Sequence, residues 1–230
     1  MAIEADKVFF TSDTHFSHGN IMKYGNRPFM NNEEQEIIDH YNGIDSRLFD
    51  DEGDGAEKAT ADYKRLRISQ ETIQKHDEAL IANWNAKVPQ DAAVYFLGDF
   101  CFNKDNIRKI AKRLNGTIFF IKGNHDHGIE RFSDCFGWIK DYYELKVKDP
   151  DSPRGGTRKI ILSHYAMRVW NGSHHSNYML YGHSHNSLAD DPNALSFDVG
   201  VDCHNYTPIS YRDVKRIMAN KTYQSVDHHK

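Results

Sequence analysis

Five short apolar segments of this sequence each end at residues that can bind a metal ion. The segments are rich in β-branched and aromatic side chains and have the length of buried strands. They span 7–12, 93–97, 117–121, 158–162 and 178–181. The residues that follow them are Asp13 and His15, Asp99, Asn124, His164, and His183 with His185. In layered α/β folds the carboxyl ends of strands meet at one edge, so the sequence predicts that these side chains form one site.

The donor atoms of this set indicate which ions it suits. Two Asp, one Asn and four His residues offer hard oxygen and imidazole nitrogen atoms, the ligands that manganese, iron and zinc accept. Seven donors are too many for one tetrahedral ion, so two ions that share a carboxylate would use them all. Cys101, Cys135 and Cys203 are odd in number and share no short spacing, which favours reduced thiols.

Each of these motifs has an ordinary explanation when it is taken alone. Asp13-x-His15 also suits a surface turn, and Asn124-His125-Asp126 also suits a polar turn after a strand. Coincidence becomes a poor explanation when the same arrangement recurs at successive strand ends. The pattern therefore favours a common site.

Length and charge set limits on the kind of protein. A chain of 230 residues suits one domain, which we expect to span 1–230. The net charge of −4 gives no basic field for nucleic acid, so no stable nucleic-acid complex is expected. No apolar run approaches the roughly 18 to 20 residues of a membrane span. Residues 1–6 also lack the features of a signal peptide, so we expect a cytoplasmic protein without membrane contact.

Helical spacing of apolar residues predicts helices from Asn32, over 69–84, over 103–114 and over 211–220. The helix over 103–114 has a basic face, which either meets phosphate or is simply solvated. Strand-like runs at 142–148 and 158–162 predict a hairpin. The acidic segment at about 43–61 is expected to be a solvated loop or a lid, since it lacks the spacing of a calcium-binding EF-hand.

Taken together, the motifs resemble those of the calcineurin-like metallophosphoesterases in order and rough spacing. The motifs concerned are Asp13-x-His15, Gly98-Asp99, Gly123-Asn124-His125-Asp126, His164 and Gly182-His183-x-His185. The resemblance covers most of the chain, and the stretches 26–29, 83–85, 164–165 and 199–202 look like the small bacterial and phage-type branch. It implies an α/β fold, a four-layer α/β/β/α sandwich of two mixed sheets flanked by helices.

The resemblance also implies a binuclear metal site. By position, Asp13, His15 and His185 would hold one ion, and Asn124, His164 and His183 the other, with Asp99 bridging them. His125 would be the catalytic residue that donates a proton to the leaving oxygen, while a hydroxide bridging the ions attacks in line. The two divalent ions would be manganese, with iron, zinc, nickel or magnesium as alternatives.

One departure from the family narrows the expected substrate. The protein phosphatase branch has an Asp three positions after the bridging Asp and an Arg before its Gly-Asn-His, where this chain has Phe102 and Lys122. We therefore expect a phosphodiesterase for a phosphorylated small molecule or nucleotide, either cyclic or short. A phosphomonoesterase, a nuclease or repair component, and a non-catalytic scaffold are the alternatives. His18, Arg27 and Arg168 are expected to bind substrate, with a structural or surface role as the alternative.

Overall fold

The computed structural model describes residues 2–43, 53–153 and 155–227. These form two compact units, one comprising the residues up to His15 and from Leu80 onward, the other Phe16–Ala79. Both sheets of the protein lie in the first unit. Its strands in chain order are β1 (Val8–Thr11), β2 (Ala93–Phe96), β3 (Thr117–Ile121), β4 (Trp138–Lys140), β5 (Tyr142–Lys148), β6 (Thr157–Ser163), β7 (Tyr178–Tyr181), β8 (Ser196–Asp198) and β9 (Ile209–Ser210).

Each sheet is mixed. The five-stranded sheet has the order β4-β3-β2-β1-β9, in which the first four strands are parallel and β9 pairs antiparallel with β1. The four-stranded sheet has the order β5-β6-β7-β8, in which β5 and β6 form the predicted antiparallel hairpin and the other pairs are parallel. In each sheet, neighbouring parallel strands bring their carboxyl ends to the same edge.

The main hydrophobic core lies between the two sheets. Val8 and Phe10 of β1 and Tyr95 of β2 pack in one buried cluster with Leu145 of β5 and Leu162 of β6. On the opposite face of β2, Phe96 stacks on Trp84, with ring centroids 6.4 Å apart. The central strands are thus covered on both faces, which explains why they appear as continuous apolar runs in the sequence.

Helices flank the sheets. The relevant helices are the carboxyl-terminal half of α4 (Gln70–Lys87), α5 (Ile107–Ala111) and α6 (Tyr211–Met218). In α6, Tyr211, Val214 and Met218 join the core cluster, and Ser210 begins the helix with a capping box to Asp213. The chain is therefore α/β with two mixed sheets flanked by helices, and the predicted sandwich is confirmed.

The second unit is helical. It contains α1 (Gly19–Tyr24), α2 (Asn32–Asn42), α3 (Gly53–Arg65) and the start of α4. Glu34 is buried and accepts hydrogen bonds from Ser69 N, at 2.6 Å, and from Thr72 Oγ1, also at 2.6 Å. It also completes a capping box with Asn31 at the start of α2. This one carboxylate therefore links the beginnings of α2 and α4.

The part of the acidic segment at about 43–61 that the structure describes from Gly53 onward is helical and is not the loop that its composition suggested. Residues 44–52 lie outside the described residues, but α3 begins at Gly53 and continues to Arg65. Ala59 of α3 is buried, and the ring of Tyr63 stacks on Tyr41 of α2 with centroids 4.0 Å apart. Good helix formers between 57 and 64 and this packing outweigh the low helix propensity of Gly53 and Gly55, so the loop prediction is wrong for 53–61.

Other differences concern short elements. The helix expected over 103–114 is shorter, because Asn103 caps a 3-10 turn at Lys104–Asn106 and α5 ends at Ala111. Strands β4 and β9, with three and two residues, and helix α1 were not predicted. Elements this short carry too few residues for a periodic pattern. Among the described residues, no helix has both the length and the hydropathy needed to cross a bilayer.

Replacing Glu34 by Ala is expected to lower the free energy of unfolding by about 1–3 kcal/mol, because buried donors lose their acceptor. Burial raises the pKa of Glu34, but hydrogen bonds from Thr72, Ser69 and Asn31 lower it more, so the net pKa lies below 4.5. Because the pKa of Glu34 is lower in the folded state, its ionised carboxylate stabilises the fold above about pH 4.5. This stabilisation is lost as the pH falls further, through the pKa of the folded state.

Urea unfolding of Glu34→Ala and the exposed control Glu33→Ala at pH 7 and pH 3 tests this prediction. We expect the gap between the two variants to be large at pH 7 and to shrink at pH 3. Equal stability at pH 7 would show that the Glu34 hydrogen bonds contribute nothing.

Candidate metal centre

The structure places the seven predicted metal ligands at the carboxyl ends of strands in both sheets. Those after β1, β2 and β3 are Asp13, His15, Asp99 and Asn124. Those after β6 and β7 are His164, His183 and His185. A parallel bridge between Ser12 and Gly200, together with a hydrogen bond from Gly182 N to His164 O at 3.0 Å, holds these turns together.

The side chains form two groups of three. The ligand atoms of each group lie within 4.8 Å of one another, and the groups are Asp13, His15 and His185, and Asp99, His164 and His183. Asp99 lies between them, since its Oδ2 is 3.6 Å from Nε2 of His15 and 3.6 Å from Nε2 of His164. One carboxylate oxygen is therefore available to both groups.

The contacts of His164 define which nitrogen faces the second group. Its Nδ1 lies 2.7 Å from the backbone oxygen of Leu97, which can only accept, so Nδ1 carries the proton. Nε2 then presents a lone pair, and it lies 2.9 Å from Oδ1 of Asn124. A carbonyl oxygen and an imidazole nitrogen that lie this close together can both bind one cation. The donor set of Asn124, His164 and Asp99 therefore fits a bound cation.

His185 is oriented in a similar way in the first group. Its Nδ1 lies 2.7 Å from Oδ2 of Asp202, and its Nε2 lies 3.9 Å from Oδ1 of Asp13. A carboxylate behind a histidine fixes the ring and makes the opposite nitrogen a better metal ligand. Sequence reasoning assigned no role to Asp202, because its partner lies 17 residues away in the chain.

The carboxylate of Asp13 is fully buried. Its Oδ2 accepts hydrogen bonds from Ser12 Oγ at 2.6 Å and from the backbone N–H of His183 at 2.9 Å. Burial, partly offset by the nearby His185, raises the pKa of Asp13 to about 7. A divalent cation next to this carboxylate would favour its ionised form again, which is a second reason why the donor set fits a metal.

His183 is more exposed than the other predicted ligands, but its pKa is also shifted by its surroundings. Burial and the neighbouring His164 lower the pKa of His183 below its ordinary value. The imidazole is therefore neutral at physiological pH, which is the form that binds a metal.

The backbone at the ligands is strained. Five of the seven have a positive φ, and they are Asp13 (57°), His15 (47°), Asp99 (61°), His183 (70°) and His185 (46°). Residues other than Gly rarely adopt a positive φ, because it costs on the order of 1–3 kcal/mol per residue. Such strained residues are concentrated at functional sites. The concentration of strain at the predicted ligands supports a functional role for this edge.

Two glycines allow the turns to approach one another. Gly98 has a φ of +100°, and a Cβ there would lie 2.5 Å from Nδ1 of His164. A Cβ on Gly123 would overlap Oδ1 and the backbone nitrogen of Asp99. Larger residues at either position would displace Asp99 or His164, so these glycines are part of the site.

His125 lies beside the two groups without joining either of them. Its side chain is exposed, and its ring centroid lies 5.5 Å from that of His15. Its backbone N–H donates to Oδ1 of Asp99 at 2.9 Å, which fixes the position of His125 relative to the shared carboxylate. The exposed ring is well placed to exchange a proton with a bound molecule.

Asp126 points away from His125. Its Oδ2 accepts from the backbone N–H groups of Asp99 and Gly123, each at 2.7 Å, and its Oδ1 accepts from Phe100 N at 3.1 Å. Burial raises the pKa of Asp126, although these hydrogen bonds oppose the shift. Asp126 therefore joins the turns after β2 and β3 and does not orient the His125 ring.

The predicted substrate-binding residues lie outside the two groups. His18 precedes α1 in the second unit. Arg27, also in the second unit, is 0% exposed, and its Nη1 lies 2.8 Å from Nε2 of His76. Arg168 is exposed and lines a separate cavity of about 550 Å³ in the first unit. Substrate binding by these three residues stays a prediction, and the burial of Arg27 favours its structural alternative.

Comparisons with known proteins support the fold and leave the activity open. No family model matches the chain. It is 29% identical over 214 residues to an uncharacterised protein, MJ1445, of Methanocaldococcus jannaschii. The alignment covers 89% of this chain and 86% of that protein. It is also similar to the crystal structure of a protein of unknown function, AQ665, from Aquifex aeolicus. That match has a TM-score of 0.52 and 18% identity, and covers 91% of this chain and 98% of the other.

Replacing Asp99 by Asn is expected to weaken the binding of two Mn²⁺ ions together. Asn keeps the acceptor for His125 N but removes the charge that both groups share. We expect each affinity to fall by at least about 100-fold, since losing an outer partner of a ligand alone costs about 10- to 100-fold. Calorimetric titration of chelator-treated protein with Mn²⁺ measures the effect, with Asp105→Asn, an exposed aspartate on a 3-10 turn, as the control. Two tightly bound ions in Asp99→Asn would contradict a shared position.

Proposed function

We propose that the chain is a metal-dependent phosphoesterase that hydrolyses a phosphodiester, such as a cyclic or short nucleotide. The observation that carries this proposal is the shared position of Asp99, whose Oδ2 lies 3.6 Å from Nε2 of both His15 and His164. A carboxylate shared by two donor groups suits a pair of ions about 3.5–4 Å apart, which is the arrangement used in many phosphoryl hydrolases.

The chain offers a complete donor set for such a pair. Asp13, His15 and His185 would hold one ion, Asn124, His164 and His183 the other, and Asp99 both. When bound, the two ions would neutralise the phosphoryl oxygens and supply hydroxide at neutral pH. Mixed oxygen and imidazole donors suit manganese, with iron, zinc, nickel or magnesium as alternatives.

The protein itself would contribute the proton. An alkoxide is a poor leaving group unless it is protonated as the bond to phosphorus breaks. The exposed ring of His125 lies beside His15, and its backbone is held by Asp99, so it can deliver a proton next to a phosphate bound at the centre. Asp99 in this way positions the ligands and the proton donor together.

The residue next to the proton donor argues against a protein phosphatase. Phe102, three positions after Asp99, is 54% exposed, and its ring centroid lies 6.3 Å from that of His125. An apolar ring here cannot pair with the histidine as the carboxylate of the phosphatase branch does. We therefore favour a small phosphodiester over a phosphoprotein as the substrate. The cytoplasm stays the predicted compartment.

Paired initial rates on bis-p-nitrophenyl phosphate and p-nitrophenyl phosphate test the proposal. Chelator-treated protein is expected to be inactive, and Mn²⁺ is expected to restore activity, with faster hydrolysis of the diester. Faster hydrolysis of the monoester would instead favour a phosphomonoesterase. Failure of any metal to restore activity on either compound would favour the scaffold alternative or an enzyme with a narrow specificity.

Replacing His125 by Ala is expected to lower the rate with an alkyl leaving group by about 100- to 10,000-fold, the usual range for general acid catalysis. The effect should be much smaller with nitrophenolate, which leaves without a proton. Mn²⁺ binding should be unchanged, because His125 belongs to neither donor group. His40→Ala, on an exposed position of α2, serves as the control. An equal loss with good and poor leaving groups would refute proton donation.

A further inference from the structure

A cavity of about 420 Å³ in the first unit opens directly beside the second donor group. Asn124 and His164 form part of its wall, so a phosphate bound at that group would extend one of its substituents into the cavity. The volume falls within the range of about 300–1,000 Å³ that is typical of small-molecule sites. The cavity can therefore determine which substituent the phosphodiester carries.

Tyr165 forms the aromatic part of this wall. Its ring is held in edge-on contact by two histidines of the donor group, His164 at 5.0 Å and His183 at 4.7 Å between centroids. The residue is nevertheless 51% exposed. A fixed, exposed aromatic ring at the wall of a phosphate site is a suitable surface for stacking a nucleobase.

Most of the other residues that line the cavity have polar side chains. They include Lys122, His127, Glu130, Asp141 and Ser163. An aliphatic substituent would form no hydrogen bonds with these side chains. A flat heteroaromatic ring can instead stack on one face and form hydrogen bonds at its edges.

The charges at the rim disfavour a second phosphate. Lys122 Nζ lies 3.1 Å from Glu130 and 2.8 Å from Asp141, so two carboxylates face a single ammonium group. The balance of these three residues is negative. A neutral base therefore fits the cavity better than a substituent that carries another phosphate.

We propose that this cavity is the nucleobase subsite of the enzyme, and that Tyr165 is the residue that stacks on the base. The inference rests on the proposed function and names its substrate class. The substrate would be a nucleoside phosphodiester whose part within the cavity carries no second phosphate. In this role Tyr165 determines substrate specificity and not the rate of the chemical step, because it contacts the base and not the reacting atoms.

Calorimetric binding of AMP and ribose 5-phosphate to the manganese-loaded protein tests the proposal, since the two compounds share the sugar phosphate and carry adenine or a hydroxyl group at C1. We expect AMP to bind at least about tenfold more tightly, in line with the usual strength of base stacking on an aromatic residue. Tyr165→Ala should lose most of this preference and keep its affinity for ribose 5-phosphate. Tyr165→Phe should retain the preference, because the ring is kept.

Tyr142→Ala is the matched control, because Tyr142 is also an exposed tyrosine but is hydrogen-bonded to Glu144 and does not line the cavity. Equal affinities for AMP and ribose 5-phosphate, each dependent on metal, would overturn the subsite and leave the proposed function standing. An equal loss of both affinities in Tyr165→Ala would show that Tyr165 only supports the histidines, and would also overturn the subsite. Metal-independent or absent binding of both compounds would overturn the subsite and the proposed function together.

Discussion

The candidate site depends on where the carboxylate of Asp99 is held. Asp99 reaches towards His15 and His164 with one oxygen and holds the backbone of His125 with the other. Its own backbone N–H is fixed by Asp126, which also accepts from Gly123 and Phe100. Hydrogen bonds from three backbone N–H groups offset part of the free-energy cost of burying Asp126. The same hydrogen bonds fix the turns after β2 and β3 relative to each other. The positions of the shared ligand and the proton donor thus depend on a carboxylate that belongs to neither donor group.

Much of this arrangement could be predicted from the sequence, because it is encoded locally. A buried strand gives a continuous apolar run, and the residue after it must lie at the sheet edge, so the positions of Asp13, Asp99 and Asn124 follow from pattern alone. Such features require no knowledge of distant partners.

The remaining features depend on partners that are far apart in the chain. Substrate binding by Arg27 stays a prediction, but its burial and its contact with His76, 49 residues later, favour the structural alternative. The support of His185 by Asp202 could not be predicted for a related reason, since a side chain that acts through another has no pattern of its own. Helix α3 was missed because the acidic residues before it dominate the composition, whereas the packing of Tyr63 on Tyr41 decides the structure.

Each donor group draws its residues from both sheets. Asp13 and His15 follow β1 of the five-stranded sheet, and His185 of the same group follows β7 of the four-stranded sheet. In the second group Asp99 comes from the first sheet and both histidines from the other. An ion bound to either group would therefore act as a cross-link between the two sheets. Its binding free energy would add to the cohesion of the sandwich, and the resistance of the fold to unfolding would follow the concentration of free metal ions around it.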